Sequence, residues 1–181
     1  MSDAGARYDG FFADHYDELV VMATHMTAGD LHLAEELVAD AFVRALRAWD
    51  RIDSPRSWLV AVIARDAVKR SRRLRGRLPK PARIWATDRT AVADDPATVV
   101  ERLEDCARVM RALAELSDRQ RTIAVLHWCE DRSQKEIAAM LGVAPSTVAR
   151  HLARAQRTLR RVFGPRGEAL NLFTDLGKER T

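Results

Sequence analysis

The sequence has few cysteines and no long apolar run, and each absence excludes a class of protein. Its 181 residues include only two cysteines, Cys106 and Cys129, too few and too far apart for a disulfide framework or a zinc cage. The longest apolar runs, such as Leu59 to Ala64, are far shorter than the roughly 20 residues that span a bilayer. The N-terminus lacks the basic and then apolar order of a signal peptide. We therefore expect a cytoplasmic protein with no membrane insertion.

The motifs of common enzyme classes are also missing. No glycine-rich phosphate loop follows a predicted strand, no nucleophile elbow is present, and no strand pattern is long enough for a sheet. Glu35, Glu36 and Asp40 could be paired catalytic carboxylates, but their basic neighbours favour surface charge or a partner site. His127 beside Cys129 is better explained by core packing than by a metal site. The sequence predicts an all-α protein that is not an enzyme and needs no cofactor and no metal.

Basic residues are concentrated in two segments of the chain. Lys and Arg number 30 against 26 Asp and Glu, for a net charge of +4. Between Arg65 and Arg83 the only acidic residue is Asp66, and residues 150–166 contain no acid. This distribution predicts two separate cationic surfaces, each suited to a polyphosphate such as nucleic acid.

Residues 133–154, SQKEIAAMLGVAPSTVARHLAR, have the spacing of a helix-turn-helix. Apolar residues fall on one face of each predicted helix: Ile137, Ala138 and Leu141 in the first, Val148 and Leu152 in the second. Gly142 permits the positive φ that the tight turn needs. The outward side of the second helix carries side chains that can reach base edges and phosphates, namely Ser146, Thr147, Arg150 and Arg154. An ordinary helical hairpin is the alternative, and the basic outer face disfavours it.

Helical periodicity divides the chain into two small helical domains joined by a flexible linker. The predicted divisions are a first domain over 8–75, a linker over 76–98, a second domain over 99–164 and a tail over 165–181. Three amphipathic helices are expected in the first domain: Tyr8 to Thr27, Asp30 to Trp49, and one that starts at Ser54 and Pro55. The linker loses periodicity and contains three prolines, Pro79, Pro81 and Pro96. No role is assigned to the tail.

Both domains resemble one bacterial family. Residues Ala34 to Ile52, AEELVADAFVRALRAWDRI, and Ser54 to Arg73, SPRSWLVAVIARDAVKRSRR, resemble region 2 of the extracytoplasmic-function (ECF) sigma factors of the sigma-70 superfamily. Leu116 to Arg161 resembles region 4 of the same family. The resemblance implies a sigma factor that binds core RNA polymerase, recognises the promoter minus 35 and minus 10 elements and promotes transcription initiation. Its DNA partners would be a duplex minus 35 element and a single-stranded minus 10 element.

The resemblance also implies roles for individual residues. The polymerase-binding residues would be Glu35, Glu36, Asp40, Phe42 and Arg44. The minus 10 element would be contacted by Asp53, Ser54, Arg56, Trp58, Arg65, Asp66, Lys69 and Arg70. The minus 35 bases would be read by Ser146, Thr147, Arg150 and Arg154, with phosphate contacts from Arg119, Gln134, Lys135 and Arg157.

Several alternatives stay open at this point. Trp58 either stacks on a base or packs in the core. Asp66 stands where many relatives have Asn and would repel phosphate unless it pairs with Arg65 or Arg70 or accepts from a base amine. The acidic linker either follows the path of the RNA or is a solvated tether. A stand-alone helix-turn-helix regulator is the competing function, and the dense cationic run before the linker argues against it. A further expected partner is an anti-sigma factor.

Overall fold

The computed structural model describes residues 3–73 and 107–163, and its regular secondary structure there is helical. The N-terminal unit, residues 3–73, contains α1 (Asp3–Met26), α2 (Leu31–Ala48), a short 3-10 helix (Trp49–Arg51) and α3 (Pro55–Arg73). The C-terminal unit, residues 107–163, contains α4 (107–114), α5 (Asp118–Trp128), α6 (Gln134–Leu141) and α7 (Pro145–Phe163). None of the helices in these two ranges is long and apolar enough to cross a membrane. The predicted all-α fold is confirmed, while the predicted linker and tail lie outside the described residues.

The helix ends follow from local chemistry. The Asp30 carboxylate accepts a hydrogen bond from the Leu33 N–H at 3.0 Å and caps α2. Ala28 and Gly29 have positive φ and form the turn that ends α1. Pro55 is the first residue of α3, where its missing N–H leaves no hydrogen bond unmade. α1 begins at Asp3, earlier than the predicted Tyr8, and α2 gives way to the 3-10 turn at Trp49.

The turn between α6 and α7 has the predicted geometry. Gly142 adopts a left-handed conformation with φ of 63°, and its N–H closes the end of α6. Ile137 and Val148 are fully buried on the facing sides of the two helices. The helix-turn-helix predicted from spacing is therefore present.

Replacing Gly142 with alanine should lower the free energy of unfolding by about 1 kcal/mol, since a left-handed backbone costs roughly that for an L-residue. The added methyl group would meet no atom within 4 Å, so the cost arises from the backbone alone. Gly10→Ala in the middle of α1 is the matched control, because that Cβ also meets open space and alanine favours a helix by about 1 kcal/mol. Urea unfolding followed by circular dichroism should show changes of opposite sign. Equal changes in both variants would contradict this explanation.

Helix α5 lies at the centre of the described structure. All six residues from 121 to 126 are buried, so the helix has no solvated face over this stretch. It contacts α7 and α6 in its own unit and α1 and α3 in the N-terminal unit. Leu19, Ile63 and Ile123 consequently belong to one hydrophobic cluster. The two units predicted as separate domains share a core.

Aromatic side chains fill the space between α1 and α2. The Phe42 ring lies edge-on to the Phe12 ring, with centroids 4.8 Å apart, and edge-on to the Tyr8 ring at 6.3 Å. The Tyr8 hydroxyl donates a hydrogen bond to the Phe42 carbonyl at 3.0 Å. Only 2% of Phe42 is exposed. Phe42 is a core residue, which corrects its assignment to the polymerase-binding surface, because α1 covers the face of α2 on which it lies.

Candidate nucleic-acid interface

The outward side of α7 is polar and cationic. Its inner side is held against α5 and α6 by five buried apolar residues, Val148, Leu152, Ala155, Leu159 and Phe163. This packing leaves Ser146, Arg150, Arg154 and Arg157 exposed and Thr147 half-buried. The predicted base-reading residues therefore share one accessible side of a helix whose opposite side is fixed in the core. Such an arrangement can present guanidinium groups to a DNA groove.

The first turn of α6 adds a second anion-attracting feature. The Ser133 N–H donates to the Glu136 carboxylate at 2.9 Å, and the Glu136 N–H donates to the Ser133 hydroxyl at 3.3 Å. The hydrogen bonds with Ser133, with a smaller effect of the charge of Arg132, hold the pKa of Glu136 below its ordinary value. Gln134 and Lys135 extend from this turn into solvent. They lie where the positive end of the helix dipole favours a phosphate.

Arg119 lines a recess between the two units. The recess has a volume of about 150 Å³ and is lined by Arg65, Val68, Lys69, Arg119 and Leu141. Three of its lining residues are cationic and none is acidic. The structure thus brings Arg119, predicted to contact the minus 35 element, next to two residues predicted to contact the minus 10 element.

His151 on α7 is a residue that the sequence analysis missed. It is half-buried, and burial lowers its pKa, as do the nearby charges of Arg119, Arg150 and Arg154. Its position on α7 between Arg150 and Arg154 was the available sequence signal. The neutral imidazole is the form that this cationic environment favours.

The lowered pKa of His151 predicts a pH dependence of stability. The unfolded chain binds this proton more tightly than the folded chain, so the contribution is complete above the unfolded pKa of about 6.5 and is lost as the pH falls from that value through the lower folded pKa. We expect the unfolding midpoint to fall between pH 8 and pH 5.5 by less in His151→Gln than in the wild type. Thermal melts at a series of pH values provide the measurement. Identical pH profiles in the two proteins would show that His151 is not responsible.

Ion pairs between α2 and α3 join residues predicted to bind polymerase to residues predicted to contact the minus 10 element. Arg70 pairs with Glu36 at 2.8 Å and with Asp40. Arg44 lies 2.8 Å from the Asp66 carboxylate. Asp66 therefore has a partner on α2, not the expected Arg65 or Arg70. The predicted polymerase-binding surface of α2 and the predicted minus 10 surface of α3 are therefore adjacent and linked by these ion pairs.

The other residues predicted to contact the minus 10 element differ in their exposure to solvent. Asp53 and Ser54, which precede α3, are exposed, as are Arg65 and Lys69 on α3. Trp58 is half-buried and packs against the hydrophobic core. Of the two interpretations of Trp58, the described structure shows core packing.

Arg56, predicted to contact the minus 10 element, has carboxylate partners in both units. It pairs with Glu18 of α1 and, at 3.0 Å, with Glu130 just after α5. Burial on its own would lower the pKa of the Arg56 guanidinium, but the hydrogen bond and charge of Glu18 and the charge of Glu130 raise it above its ordinary value. Next to this group, Arg132 donates to the Ser57 hydroxyl at 3.2 Å. The start of α3 thus faces the C-terminal unit.

His127 and Cys129 occupy structural positions. The His127 Nδ1–H donates to the Arg132 carbonyl at 2.8 Å, and Cys129 is buried. Within residues 3–73 and 107–163, no three His, Cys, Asp or Glu side chains are grouped so that they could hold a metal ion.

Comparison with known proteins identifies the family. The models of Sigma-70 region 2 and Sigma-70 region 4 match residues 11–77 and 106–159. The ECF RNA polymerase sigma factor SigM of Mycobacterium tuberculosis is 32% identical over 174 residues, covering 93% of this chain and 84% of the relative. The chain belongs to the ECF sigma factors. Like other members of the sigma-70 family, this ECF sigma factor acts in transcription initiation, with core RNA polymerase and promoter DNA as its partners.

Two further relatives support the same conclusion. The probable ECF sigma factor SigI of Mycobacterium tuberculosis is 34% identical over 152 residues, which cover 80% of this chain. The match spans about half, 51%, of the length of SigI. SigW of Bacillus subtilis is 26% identical over 158 residues, covering 82% of this chain and 84% of the relative. Nothing in these matches favours a stand-alone regulator. From here on, region 2 denotes the N-terminal unit of this sigma factor and region 4 its C-terminal unit.

Proposed function

We propose that region 4 reads the minus 35 element as duplex DNA with the outward side of α7. The observation that carries this proposal is the exposed cationic side of a helix whose opposite side is fully buried. Arg150 and Arg154 would contact base edges, together with Ser146 and Thr147 at the start of the helix. Gln134, Lys135 and Arg157, all exposed, would contact phosphates. Arg119 would join them once the recess beside Arg65 and Lys69 is open.

Region 2 would contact the minus 10 element as single-stranded DNA. Exposed Arg65 and Lys69 supply positive charge along α3, and exposed Asp53 and Ser54 form the loop that precedes it. Arg56 and Arg70 would have to exchange their carboxylate partners for DNA. Asp66, already paired with Arg44, would support the α2–α3 contact and not repel phosphate. The whole function would be carried out in the cytoplasm.

The polymerase would bind the exposed side of α2. Glu35, Glu36 and Arg44 are exposed there, and Asp40 is half-buried beside Arg70. Two apolar residues of the same helix, Val43 and Leu46, are 49% and 55% exposed, and the sequence pattern did not indicate their exposure. A surface that combines apolar side chains with charges of defined position is typical of a specific protein interface.

Run-off transcription with purified core polymerase tests the proposed function. A library of promoter fragments is incubated in three reactions: with core polymerase alone, with core polymerase and this protein, and with neither. We expect discrete transcripts only when both proteins are present. No transcripts from any fragment, together with tight duplex binding by the protein alone, would replace the proposal with the stand-alone regulator.

An anti-sigma factor would be a protein that covers the exposed side of α2 and so competes with polymerase. Val43 and Leu46 would supply its apolar contacts. Affinity purification of the tagged protein from cells in the inactive condition should return a second protein in place of polymerase. Recovery of polymerase alone under that condition would contradict regulation of this kind.

A further inference from the structure

The recess between region 2 and region 4 collects positive charge from both regions. Arg65 and Lys69 of α3 line it from region 2, and Arg119 of α5 lines it from region 4. Val68 and Leu141 complete its walls, and none of these lining residues is acidic. We call this feature the cationic recess. Cations that surround a confined space with walls of low dielectric constant raise the local concentration of anions.

The acidic residues next to these cations in the sequence bind other partners. Asp66, which lies on α3, has its carboxylate 2.8 Å from Arg44 of α2. Asp118, at the start of α5, has its carboxylate 3.4 Å from Arg121. Among the described residues, no carboxylate forms an ion pair with any of the three cations of the recess. Their charge is therefore not neutralised by the part of the chain that the structure describes.

The cationic recess also offers hydrogen-bond donors to a ligand. The Nε of Arg119 is buried and has no hydrogen-bond partner among the described residues. Arg65 uses its Nε for the Ala61 carbonyl of its own helix at 3.0 Å, which leaves the two terminal nitrogens of its guanidinium for a ligand. Lys69 is exposed and adds an ammonium group. A ligand with several anionic oxygens would satisfy these donors, since a guanidinium matches a phosphate with two parallel N–H groups.

The volume and the charge of the recess favour a small, highly charged ligand. The recess has a volume of about 150 Å³, several times the roughly 30 Å³ that one water molecule takes up in the liquid. It is smaller than the roughly 300 Å³ at which pockets for drug-sized ligands begin. A phosphate group carries about −1.5 to −2 charges at pH 7 and presents three acceptor oxygens, whereas a carboxylate carries a single charge on two oxygens. Three convergent cations therefore suit a phosphate or pyrophosphate group best.

We propose that the cationic recess binds a phosphate or pyrophosphate group, held by Arg65 and Lys69 from region 2 and by Arg119 from region 4. The site goes beyond the proposed function, because it requires neither DNA nor polymerase. The three cations are also proposed promoter contacts, so a bound phosphate group and the promoter would exclude each other there. Free pyrophosphate and the terminal phosphates of a nucleotide are two sources of the same chemistry.

Isothermal titration calorimetry of the full-length protein with inorganic pyrophosphate tests the site, at constant ionic strength and without polymerase or divalent cations. We expect one pyrophosphate to bind per chain. Lys69→Gln and Arg119→Gln should each weaken binding by about tenfold or more, since each removes a charge-assisted hydrogen bond. Arg111→Gln is the matched control, because it removes the same charge from an exposed side chain of α4 that does not line the recess. Its affinity should stay within about twofold of the wild-type value, because salt screens exposed charges outside the recess.

Far-UV circular dichroism of the same proteins separates loss of the ligand from loss of the fold. Lys69 is exposed, so Lys69→Gln is expected to keep the wild-type spectrum and to remain a valid test if Arg119→Gln does not fold. Equal affinity for pyrophosphate in the wild type, Lys69→Gln and Arg119→Gln would overturn the proposal. Absence of binding to the wild type at about 1 mM pyrophosphate would overturn it as well.

Adenosine diphosphate, titrated in the same way, identifies the source of the phosphate group. Affinity at least equal to that of pyrophosphate, with the same loss in Lys69→Gln, assigns the recess to the terminal phosphates of a nucleotide. Weaker binding assigns it to free pyrophosphate, and both results support the site. Run-off transcription tests the proposed function separately. Transcripts without pyrophosphate binding refute the site alone, whereas pyrophosphate binding without transcripts refutes the proposed function alone.

Discussion

Replacing Arg121 with methionine is expected to lower the free energy of unfolding by about 3 to 5 kcal/mol. Arg121 is 6% exposed, and its guanidinium donates to the carbonyls of Leu113 and Leu116, both at 2.8 Å. Its third carbonyl acceptor is Met26, in region 2. Methionine fills a similar volume, so the loss arises mainly from the missing guanidinium donor, at about 1 to 3 kcal/mol for each buried carbonyl that it leaves unpaired. The Leu113 carbonyl keeps a hydrogen bond from the Leu116 N–H at 3.1 Å, so the larger costs are expected at Leu116 and Met26. Burial lowers the pKa of Arg121, and Asp118 partly opposes this.

Chemical unfolding monitored by circular dichroism measures the loss. Arg111→Met is the control, because Arg111 is exposed and bonds only to the Ala107 carbonyl of its own helix among the contacts described, so a change within about 0.5 kcal/mol is expected. A loss below 1 kcal/mol for Arg121→Met would mean that water or other donors satisfy the three carbonyls. In that case Arg121 would not organise the junction of the two regions.

Arg150→Ala is expected to relax base preference in the minus 35 element. A bidentate contact of arginine with guanine contributes about 1 to 3 kcal/mol of discrimination, which corresponds to about 5- to 150-fold in relative affinity. Lys135→Ala removes a proposed phosphate contact and should weaken binding to all promoters by a similar factor. Both residues are exposed, so neither substitution should disturb folding. The measurement is holoenzyme binding to a set of promoters with single-base changes in the minus 35 element.

The salt dependence of the same binding reaction provides an independent check. Lys135→Ala should reduce the slope of log affinity against log salt by about one, as expected for one lost phosphate contact. If Arg150→Ala and Lys135→Ala reduced affinity equally for every promoter variant, the division between base-reading and phosphate-contacting residues would be wrong.

Local sequence patterns predicted the helix-turn-helix because its determinants are local. Gly142 lies between two short apolar stripes, and the Ser133 and Glu136 pair marks the start of α6 within a few residues. Pro55 marks the start of α3 in the same way. These features require no knowledge of what the helices pack against.

The junction between regions could not be predicted in this way. The Arg132 to Ser57 contact joins residues 75 positions apart, and the Arg121 to Met26 contact joins residues 95 positions apart. Both depend on α5 docking against α1 and α3, which helical periodicity within a single segment does not specify. The six consecutive buried residues in α5 include an arginine and a threonine, so a hydrophobicity pattern gives no indication that the helix is central.

Phe42 illustrates a related limit. The sequence shows that α2 is amphipathic, yet its apolar residues face both α1 and α3. Only the position of the aromatic residues of α1 shows which of these faces Phe42 occupies. The exposure of Val43 and Leu46 could not be predicted for the same reason, because it depends on which side of α2 the other helices leave uncovered.

In the proposed function, one chain reads two separate promoter elements with two regions. The most direct measurement is sequencing of transcripts that the holoenzyme makes from a randomised promoter library, with wild-type protein and with Arg150→Ala. We expect two selected elements at a fixed separation upstream of the start site, and loss of base preference only in the upstream element with the variant. Selection of a single element, or equal loss of both elements in Arg150→Ala, would contradict it.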